Sequence, residues 1–201
     1  MQDATRIVVL ISGQGSNLQA LIDAEQNGEL NGGHIVAVIS NRGEAFGLER
    51  ARKAGIPTEV LSHKDFPERA DFDAALMARI DAHRPDLVVL AGFMRILTPA
   101  FVHHYAGRLI NIHPSLLPKY PGMNTHARAI EAGEAEHGAT VHFVTEGVDE
   151  GPVILQGRVP VLPDDTPETL QQRVHAIEHK IYPEAVRMLC QKHAQSSSIA
   201  R

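Results

Sequence analysis

Three stretches of this chain are almost continuously aliphatic and β-branched, and segments with helical spacing separate them. They are residues 6–12 (RIVVLIS), 34–40 (HIVAVIS) and 86–92 (DLVVLAG). Unbroken apolar runs of this length are typical of strands buried on both faces. We predict further strands at 57–61 and 108–112 and helices at 16–26, 46–54 and 71–83. Strands that alternate with helices form right-handed βαβ units, so the pattern predicts a parallel sheet with helices on both faces.

The second half of the chain has a different pattern. Two apolar runs, 139–145 and 153–161, are separated only by the turn 146–152, so we expect these strands to pair antiparallel. Thr166 and Pro167 then form the start of a long helix with an apolar stripe. The sequence therefore predicts an α/β protein of three layers, α/β/α, whose mostly parallel sheet contains an antiparallel strand in the carboxyl-terminal half. No repeat or linker divides it, and we predict one domain over 1–194 and a disordered tail over 195–201.

Composition excludes several classes of function. The net charge is −5, and the 19 basic residues do not cluster, so we expect no nucleic-acid partner. No stretch has the ~18 apolar residues of a membrane helix, and the amino terminus lacks the layout of a signal peptide. The single cysteine, Cys190, forms no internal disulfide, in keeping with a reducing compartment. We therefore expect a cytoplasmic protein that contacts no membrane.

A short glycine loop, Gly13-Gln14-Gly15-Ser16-Asn17, joins the first strand to the first helix. The start of a helix with free backbone N–H groups attracts anions. A dinucleotide site needs a small residue where this chain has Leu18, and an acid near Ser40-Asn41, so NAD is not expected. A monophosphate held by Gly15, Ser16 and Asn17 agrees better with the pattern. A plain tight turn remains the alternative.

Two polar residues interrupt the predicted strand at 108–112. Asn111 and His113 lie two positions apart and share one face, at the carboxyl end of a parallel strand, where open α/β sheets bind ligands. An amide can stabilise an oxyanion and an imidazole can move a proton near neutral pH. Asp149, in the turn between the antiparallel strands, would favour the charged form of His113 if it lay nearby. A satisfied pair of buried polar groups is the alternative.

Several motifs in order resemble one family. GQGSN at 13–17, LAGFMRIL at 90–97 and INIHPSLLPKYPG at 110–122, with the distant Asp149, resemble the formyltransferases that use 10-formyltetrahydrofolate. The resemblance extends from about residue 6 to about residue 189. It implies a Rossmann-like amino-terminal half, with phosphate binding in 1–100 and catalysis and folate binding in 101–194. Within the family, the pattern is most similar to enzymes of purine biosynthesis that formylate the glycinamide amine of a ribonucleotide.

The resemblance also implies roles for individual residues. Asn111, His113 and Asp149 would be catalytic: Asn111 and protonated His113 would stabilise the tetrahedral oxyanion, and Asp149 would help move the amine proton. The phosphate of the ribonucleotide would contact Gly15, Ser16 and Asn17, and its remainder would contact Glu178 and position 175, where the family commonly has glutamine and this chain has His175. The folate site would comprise Arg69, Met94, Arg95, Ile96, Leu97, Asn111, Thr145, Glu146, Gly147, Val148 and Asp149. No metal and no NAD would be required.

A second motif includes two of these residues, His175 and Glu178, and suggests a different function for them. His175-Ala176-Ile177-Glu178-His179 matches the H-x-x-E-H pattern of some zinc peptidases. A third ligand would have to come from Glu184 or His193. Helical geometry instead puts Glu178 beside the apolar stripe and the two histidines progressively nearer solvent, so we do not expect a zinc site.

Two other functions compete with formyl transfer to a ribonucleotide. A 10-formyltetrahydrofolate hydrolase would use the same three catalytic residues and direct water to the formyl carbon. A module that only binds a phosphate ligand would need no imidazole–carboxylate pair beside an amide. In each case the partners are small molecules, and the sequence allows either a monomer or a homodimer.

Overall fold

The computed structural model describes residues 4–200, in which seven strands form one sheet of order β3-β2-β1-β4-β5-β6-β7. The strands are β1 (Thr5–Ile11), β2 (Gly33–Ser40), β3 (Thr58–Val60), β4 (Leu87–Leu90), β5 (Leu109–His113), β6 (Glu136–Phe143) and β7 (Val153–Pro160). The helices are α1 (Ser16–Gln26), α2 (Gly47–Lys53), α3 (Arg69–Asp81), α4 (Pro99–His104), α5 (Thr125–Glu131) and α6 (Pro167–Ile199). A single 3-10 turn covers His63–Asp65.

One strand of the sheet, β6, runs opposite to the others. Strands β1 to β5 pair parallel to one another. Strand β6 runs antiparallel to both β5 and β7, and its pairing with β7 extends from Glu136↔Pro160 to His142↔Val153. This pairing starts the strand three residues earlier than the apolar pattern indicated. The predicted fold class, a mostly parallel sheet with an antiparallel strand in the second half, is confirmed.

Alternate residues of β1 face two separate cores, which explains why the strand is apolar at every position from Ile7 to Ile11. Val9 and Ile11 pack on one face against α1, α2 and α6. Val8 and Leu10 pack on the other face against α3 and α4. Side chains of a strand alternate between faces, so a strand covered on both sides needs apolar residues throughout. The three-layer arrangement follows from this pattern.

Hydrogen bonds stabilise the long helix α6 at its start and in its middle. Thr166 and Thr169 form a reciprocal capping box, and Pro167 occupies the first turn, where its missing N–H costs nothing. Further along, the buried hydroxyl of Tyr182 donates to the carbonyl oxygen of Leu90 at 2.6 Å. The helix is thereby bonded to the end of β4.

The prediction of a disordered tail at 195–201 was wrong for residues 195–199, which continue α6. Nothing in this segment breaks a helix, and Ser198 satisfies its own hydroxyl by donating to the Ala194 carbonyl at 2.9 Å. Arg201 lies outside the described residues. Within residues 4–200, no helix is both long and apolar enough to cross a membrane.

Candidate active site

Asn111 and His113 stand at the carboxyl end of β5, as the sequence predicted. Ile112 between them packs into the core. His113 is buried, with 7% of its surface exposed, whereas Asn111 lines a cavity of about 710 Å³ that opens at this edge of the sheet. The strand alternation therefore brings one amide to the cavity wall and one imidazole directly behind it.

The ring of His113 is held on both sides. Its Nδ1 lies 3.4 Å from Oδ2 of Asp149, and its Nε2 lies 2.8 Å from the carbonyl oxygen of Tyr120. A carbonyl oxygen only accepts hydrogen bonds, so Nε2 is the donor in the bond to Tyr120. The carboxylate of Asp149 lies beside the other ring nitrogen.

Asp149 connects two loops. It lies in the turn between β6 and β7 in a left-handed conformation, with φ of 54°. Its Oδ2 also accepts a hydrogen bond of 2.9 Å from the backbone N–H of Gly122. On its other side, Oδ1 lies 4.0 Å from Nε2 of His142. Burial lowers the pKa of His142, which favours the neutral form of that ring.

Thr140 anchors the proline-rich loop 114–122. Its hydroxyl donates to the carbonyl oxygen of Ser115 at 2.7 Å and accepts from the N–H of Leu117 at 3.1 Å. Gln156 donates to that hydroxyl and to the Leu117 carbonyl oxygen. No sequence pattern indicated this anchor, because threonine is common in antiparallel strands.

The cavity of about 710 Å³ joins the carboxyl end of β5 to the glycine loop. Its wall includes Gly15, Ser16, Asn17, Met94, Asn111, Ile112, Asn124, Thr125, His126, His175 and Glu178. The loop after β1, the end of β5 and the middle of α6 thus contribute to one space. All five residues predicted for the ribonucleotide lie on its wall.

The glycine loop reaches its position through a close glycine–glycine contact. Gly15 adopts a left-handed conformation with φ of 73°, and a Cβ there would lie 2.7 Å from Cα of Gly47 in α2. The N–H of Gly47 donates to the Gly13 carbonyl oxygen at 3.0 Å. No side chain caps the first turn of α1, so its backbone N–H groups remain available to an anion.

Asn17 and Glu178 meet across the cavity. The amide of Asn17 donates to Oε1 of Glu178 at 3.2 Å. Oδ1 of Asn17 and Oε2 of Glu178 are also buried, and both lack a partner among the described residues. Burial raises the pKa of Glu178. Unpaired buried oxygens are costly, so their presence at one wall indicates a place for hydroxyl or N–H donors of a ligand.

The residues predicted to bind folate separate into three groups. Thr145, Glu146 and Gly147 line a second cavity of about 570 Å³, together with the apolar side chains of Val102, Phe143, Val144 and Pro152. Met94 lines the first cavity, and it is strongly exposed, as are Ile96 and Val148. Leu97 packs against the core beneath α3 and α4.

The two predicted arginines are not brought to either cavity. Arg69 begins α3 and is exposed, and Arg95 stacks over the ring of Phe72 with 5.2 Å between Cζ and the ring centroid. Neither residue lines the first cavity or the second.

Within the H-x-x-E-H motif, Nε2 of His175 lies 3.9 Å from Oε2 of Glu178, and the ring centroids of His175 and His179 are 6.4 Å apart. No group of three potential metal ligands exists within residues 4–200. The side chain of His175 is exposed, whereas His179 is half-buried and its Nε2 is buried.

One buried pair near the site was not expected from the sequence. Nδ1 of His126 and Nε2 of His137 lie 3.1 Å apart. Burial, reinforced by the neighbouring imidazole, lowers the pKa of His137 to about 4 and also lowers that of His126. Their separation in the chain follows no periodic pattern, so only the folded structure brings them together.

Comparison with known proteins identifies the family. The model of the formyl transferase family matches residues 5–186. The chain belongs to this family. It is 59% identical over 177 residues to phosphoribosylglycinamide formyltransferase of Escherichia coli strain K12, covering 88% of this chain and 83% of that relative.

Two further relatives extend the comparison. The trifunctional purine biosynthetic protein adenosine-3 of Drosophila melanogaster is 55% identical over 190 residues, and the match covers 94% of this chain but 14% of that much longer protein. The solved structure of the Coxiella burnetii phosphoribosylglycinamide formyltransferase superimposes with a TM-score of 0.90 at 57% identity, covering 94% of this chain and 89% of that one. Family membership therefore rests on both sequence and fold.

Proposed function

We propose that this formyl transferase transfers the formyl group of 10-formyltetrahydrofolate to the glycinamide amine of phosphoribosylglycinamide, in purine biosynthesis. One observation carries the proposal: Asn111, His113 and Asp149 converge beside a cavity whose opposite wall is the glycine loop. The arrangement supports a phosphorylated substrate whose far end reaches the catalytic groups. Two of the proteins that this chain resembles are phosphoribosylglycinamide formyltransferases.

The ribonucleotide would lie across the first cavity. Its phosphate would accept hydrogen bonds from the free N–H groups at the start of α1, near Gly15, Ser16 and Asn17. The unpartnered Oε2 of Glu178 would accept from the ribose hydroxyls, since a buried carboxylate oxygen needs donors. His175 borders the same end of the cavity.

The folate would enter over the apolar side chains beyond β5. Val102, Phe143 and Val144 give the second cavity a surface suited to a flat ring, and the backbone of Thr145, Glu146 and Gly147 offers polar groups at its rim. The exposed Met94, Ile96 and Val148 lie on the neighbouring loops, where a ligand would cover them. Because Arg69 and Arg95 border neither cavity, a folate contact by either would need the side chain to move.

The chemistry follows from the three catalytic groups. The glycinamide nitrogen attacks the formyl carbon, which gives a tetrahedral intermediate whose oxyanion accepts hydrogen bonds from Asn111 and the His113 imidazolium. The bond from the formyl carbon to the folate nitrogen then breaks. Asp149 helps to move the proton that the amine loses to that departing nitrogen. Formation of one C–N bond balances cleavage of the other, so the reaction needs no further reactant.

His113 must change one contact to act. Its Nε2 is bonded to the Tyr120 carbonyl and its Nδ1 faces Asp149. Donation to the formyl oxygen therefore requires release of one partner. A shift of Tyr120 within the 114–122 loop would free Nε2.

The direct experiment is an absorbance assay of 10-formyltetrahydrofolate turnover, with and without phosphoribosylglycinamide, without ATP and after removal of metals. Folate product that forms only with the ribonucleotide would support the proposal. Equal product without it would identify a hydrolase, and absence of product in both cases would leave a binding module. The hydrolase alternative is not favoured, since the similar proteins are named as transferases.

A further inference from the structure

Ser12 is a buried serine that connects the loops proposed to contact the two substrates. It follows β1 and directly precedes the glycine loop, residues 13–17, and 4% of its surface is exposed. Its hydroxyl accepts a hydrogen bond of 2.8 Å from the backbone N–H of Met94, in the loop after β4. Strands β1 and β4 are neighbours in the sheet, so this bond joins the loops at their carboxyl ends.

The side chain of Asn41 orients the Ser12 hydroxyl. The hydroxyl donates to Oδ1 of Asn41 at 2.5 Å, and both side chains are buried. The amide nitrogen of Asn41 lies 3.4 Å from Nδ1 of His63. A hydroxyl has one proton, so its donation to Asn41 leaves its lone pairs to accept the N–H of Met94. Groups from the ends of β2, β1 and β4 therefore form one chain of hydrogen bonds.

The loop after β4, residues 91–98, is held at its other end as well. The N–H of Thr98 donates to Oδ2 of Asp73 at 2.7 Å, and Asp73 is buried in α3. Leu97 packs against the core on this side of the sheet. The segment proposed to contact folate, residues 94–97, thus begins and ends at backbone N–H groups that buried side chains hold. Its backbone is positioned before any ligand binds, which lowers the entropic cost of binding.

Ser40 shows what a buried serine of purely local importance looks like in the same fold. It is the last residue of β2, and its hydroxyl donates to the carbonyl oxygen of Arg42 at 2.7 Å and accepts the N–H of Arg42 at 3.0 Å. Ser12 and Ser40 are both buried and each both donates and accepts. They differ in what their hydroxyls join, since Ser40 bonds within its own turn and Ser12 bonds to another loop.

We propose that Ser12 is a positioning residue for 10-formyltetrahydrofolate, because its hydroxyl places the backbone of Met94 at the start of the 94–97 segment. This role rests on the proposed function, since it adds a residue to the same cosubstrate site. Ser12 lines neither cavity, so it acts through Met94 and not by contact with a substrate. Loss of the hydroxyl would leave the Met94 N–H without its partner and release one end of the segment.

The test compares Ser12→Ala with Ser40→Ala, each of which loses one buried hydroxyl. Thermal melts show how far each variant is destabilised, and steady-state rates are then measured well below both melting temperatures. Ser12→Ala should raise the KM for 10-formyltetrahydrofolate about tenfold, and should change kcat and the ribonucleotide KM less than about threefold. Ser40→Ala should leave both KM values within about twofold of those of the unchanged protein.

A second variant and a second measurement make the test independent of turnover and of the folding of one variant. Asn41→Ala retains the Ser12 hydroxyl and removes the acceptor that orients it, so the folate KM should rise by a smaller factor, about threefold. Calorimetric titration of 10-formyltetrahydrofolate without ribonucleotide should show weaker binding to Ser12→Ala and Asn41→Ala and unchanged binding to Ser40→Ala.

Two outcomes would overturn the assignment of Ser12. One is a folate KM and folate affinity that are the same in Ser12→Ala, Asn41→Ala and Ser40→Ala. The other is a rise in the ribonucleotide KM of Ser12→Ala as large as the rise in its folate KM, which would indicate a general disturbance of the site. Failure of the proposed function is a separate result, because the unchanged protein would then show no ribonucleotide-dependent turnover.

Discussion

Oδ2 of Asp149 lies 3.4 Å from Nδ1 of His113, and the same oxygen accepts the N–H of Gly122 at 2.9 Å. One carboxylate therefore both orients the imidazole and ties the turn between β6 and β7 to the proline-rich loop. A second acceptor, the Tyr120 carbonyl, fixes the other ring nitrogen. His113 is thus placed by three segments of chain that meet only in the folded protein.

Replacement of Asp149 by asparagine should lower kcat strongly. Asparagine keeps the shape and can still accept from Gly122, but it removes the charge that favours imidazolium. We expect kcat to fall by about 10²- to 10⁴-fold, with the ribonucleotide KM changed little. Steady-state rates at saturating concentrations of both substrates measure this. Asp164→Asn, in an exposed turn, is the control, and a loss confined to KM would contradict the assigned role.

Replacement of Gly47 by alanine should displace the glycine loop, residues 13–17. The new Cβ would lie 2.5 Å from Cδ1 of Ile11 and 3.2 Å from Cα of Gly15, so the loop or the helix must shift. Overpacking of this kind costs about 1–3 kcal/mol. We expect a lower melting temperature and a several-fold rise in the ribonucleotide KM. Gly43→Ala, where the nearest atom is 3.9 Å away, should leave both unchanged.

Replacement of Glu178 by glutamine should stabilise the protein and weaken ribonucleotide binding. Burial raises the pKa of Glu178 in the folded state. Above the pKa that this carboxyl has in the unfolded chain, its ionised form therefore destabilises the folded state, increasingly as pH rises. Glutamine removes that penalty and still accepts from Asn17. The melting temperature of the variant should exceed that of the unchanged protein at pH 7, by roughly 2–4 °C for each kcal/mol regained, and the difference should vanish near pH 4.

The ribonucleotide KM of Glu178→Gln checks the second half of that prediction. A neutral amide oxygen accepts ribose hydroxyls less strongly than a carboxylate, so KM should rise about tenfold while kcat changes less. A variant that is more stable and binds equally well would show that Glu178 has no role in the ribonucleotide site.

Replacement of His137 by glutamine should reduce the acid sensitivity of folding. In the unfolded chain this histidine binds a proton below about pH 6.5, whereas in the fold its pKa is about 4. The unfolded state therefore binds more protons in that window, and the unchanged protein loses stability as pH falls through it, by roughly 2 kcal/mol. Thermal melts at pH 4 to 7 should show a smaller loss for the variant than for His34→Gln, a change at an exposed histidine of β2. An equal loss would contradict the assignment.

The sequence predicted what depends on local periodicity. Strand β1 was evident because every residue from Ile7 to Ile11 packs into one of two cores, and a polar residue in such a strand, like His113, is conspicuous. The approach of Asp149 to His113 came from the family resemblance, since no local rule sets the shape of the connecting turn. The same limit explains the misplaced tail, where a polar composition concealed a continuing helix.

Arg69 and the His126–His137 pair mark two further limits. Arg69 begins α3, and nothing in its immediate sequence says which cavity, if any, a helix terminus will face. His126 and His137 lie in a helix and a strand that pack through tertiary contacts, so their hydrogen bond has no signature in either element. In both cases the missing information was the relative placement of elements, which periodicity does not contain.

The bond from the Tyr182 hydroxyl to the Leu90 carbonyl has a consequence for the order in which the site is assembled during synthesis. Helix α6 follows all seven strands in the chain, yet it carries His175 and Glu178 and rests on the strand next to the catalytic one. When all seven strands of a nascent chain have left the ribosome but α6 has not, the cavity proposed for the ribonucleotide still lacks one wall. We therefore expect a polypeptide that ends before Tyr182 to contain Asn111, His113 and Asp149 and yet to lack formyl transfer.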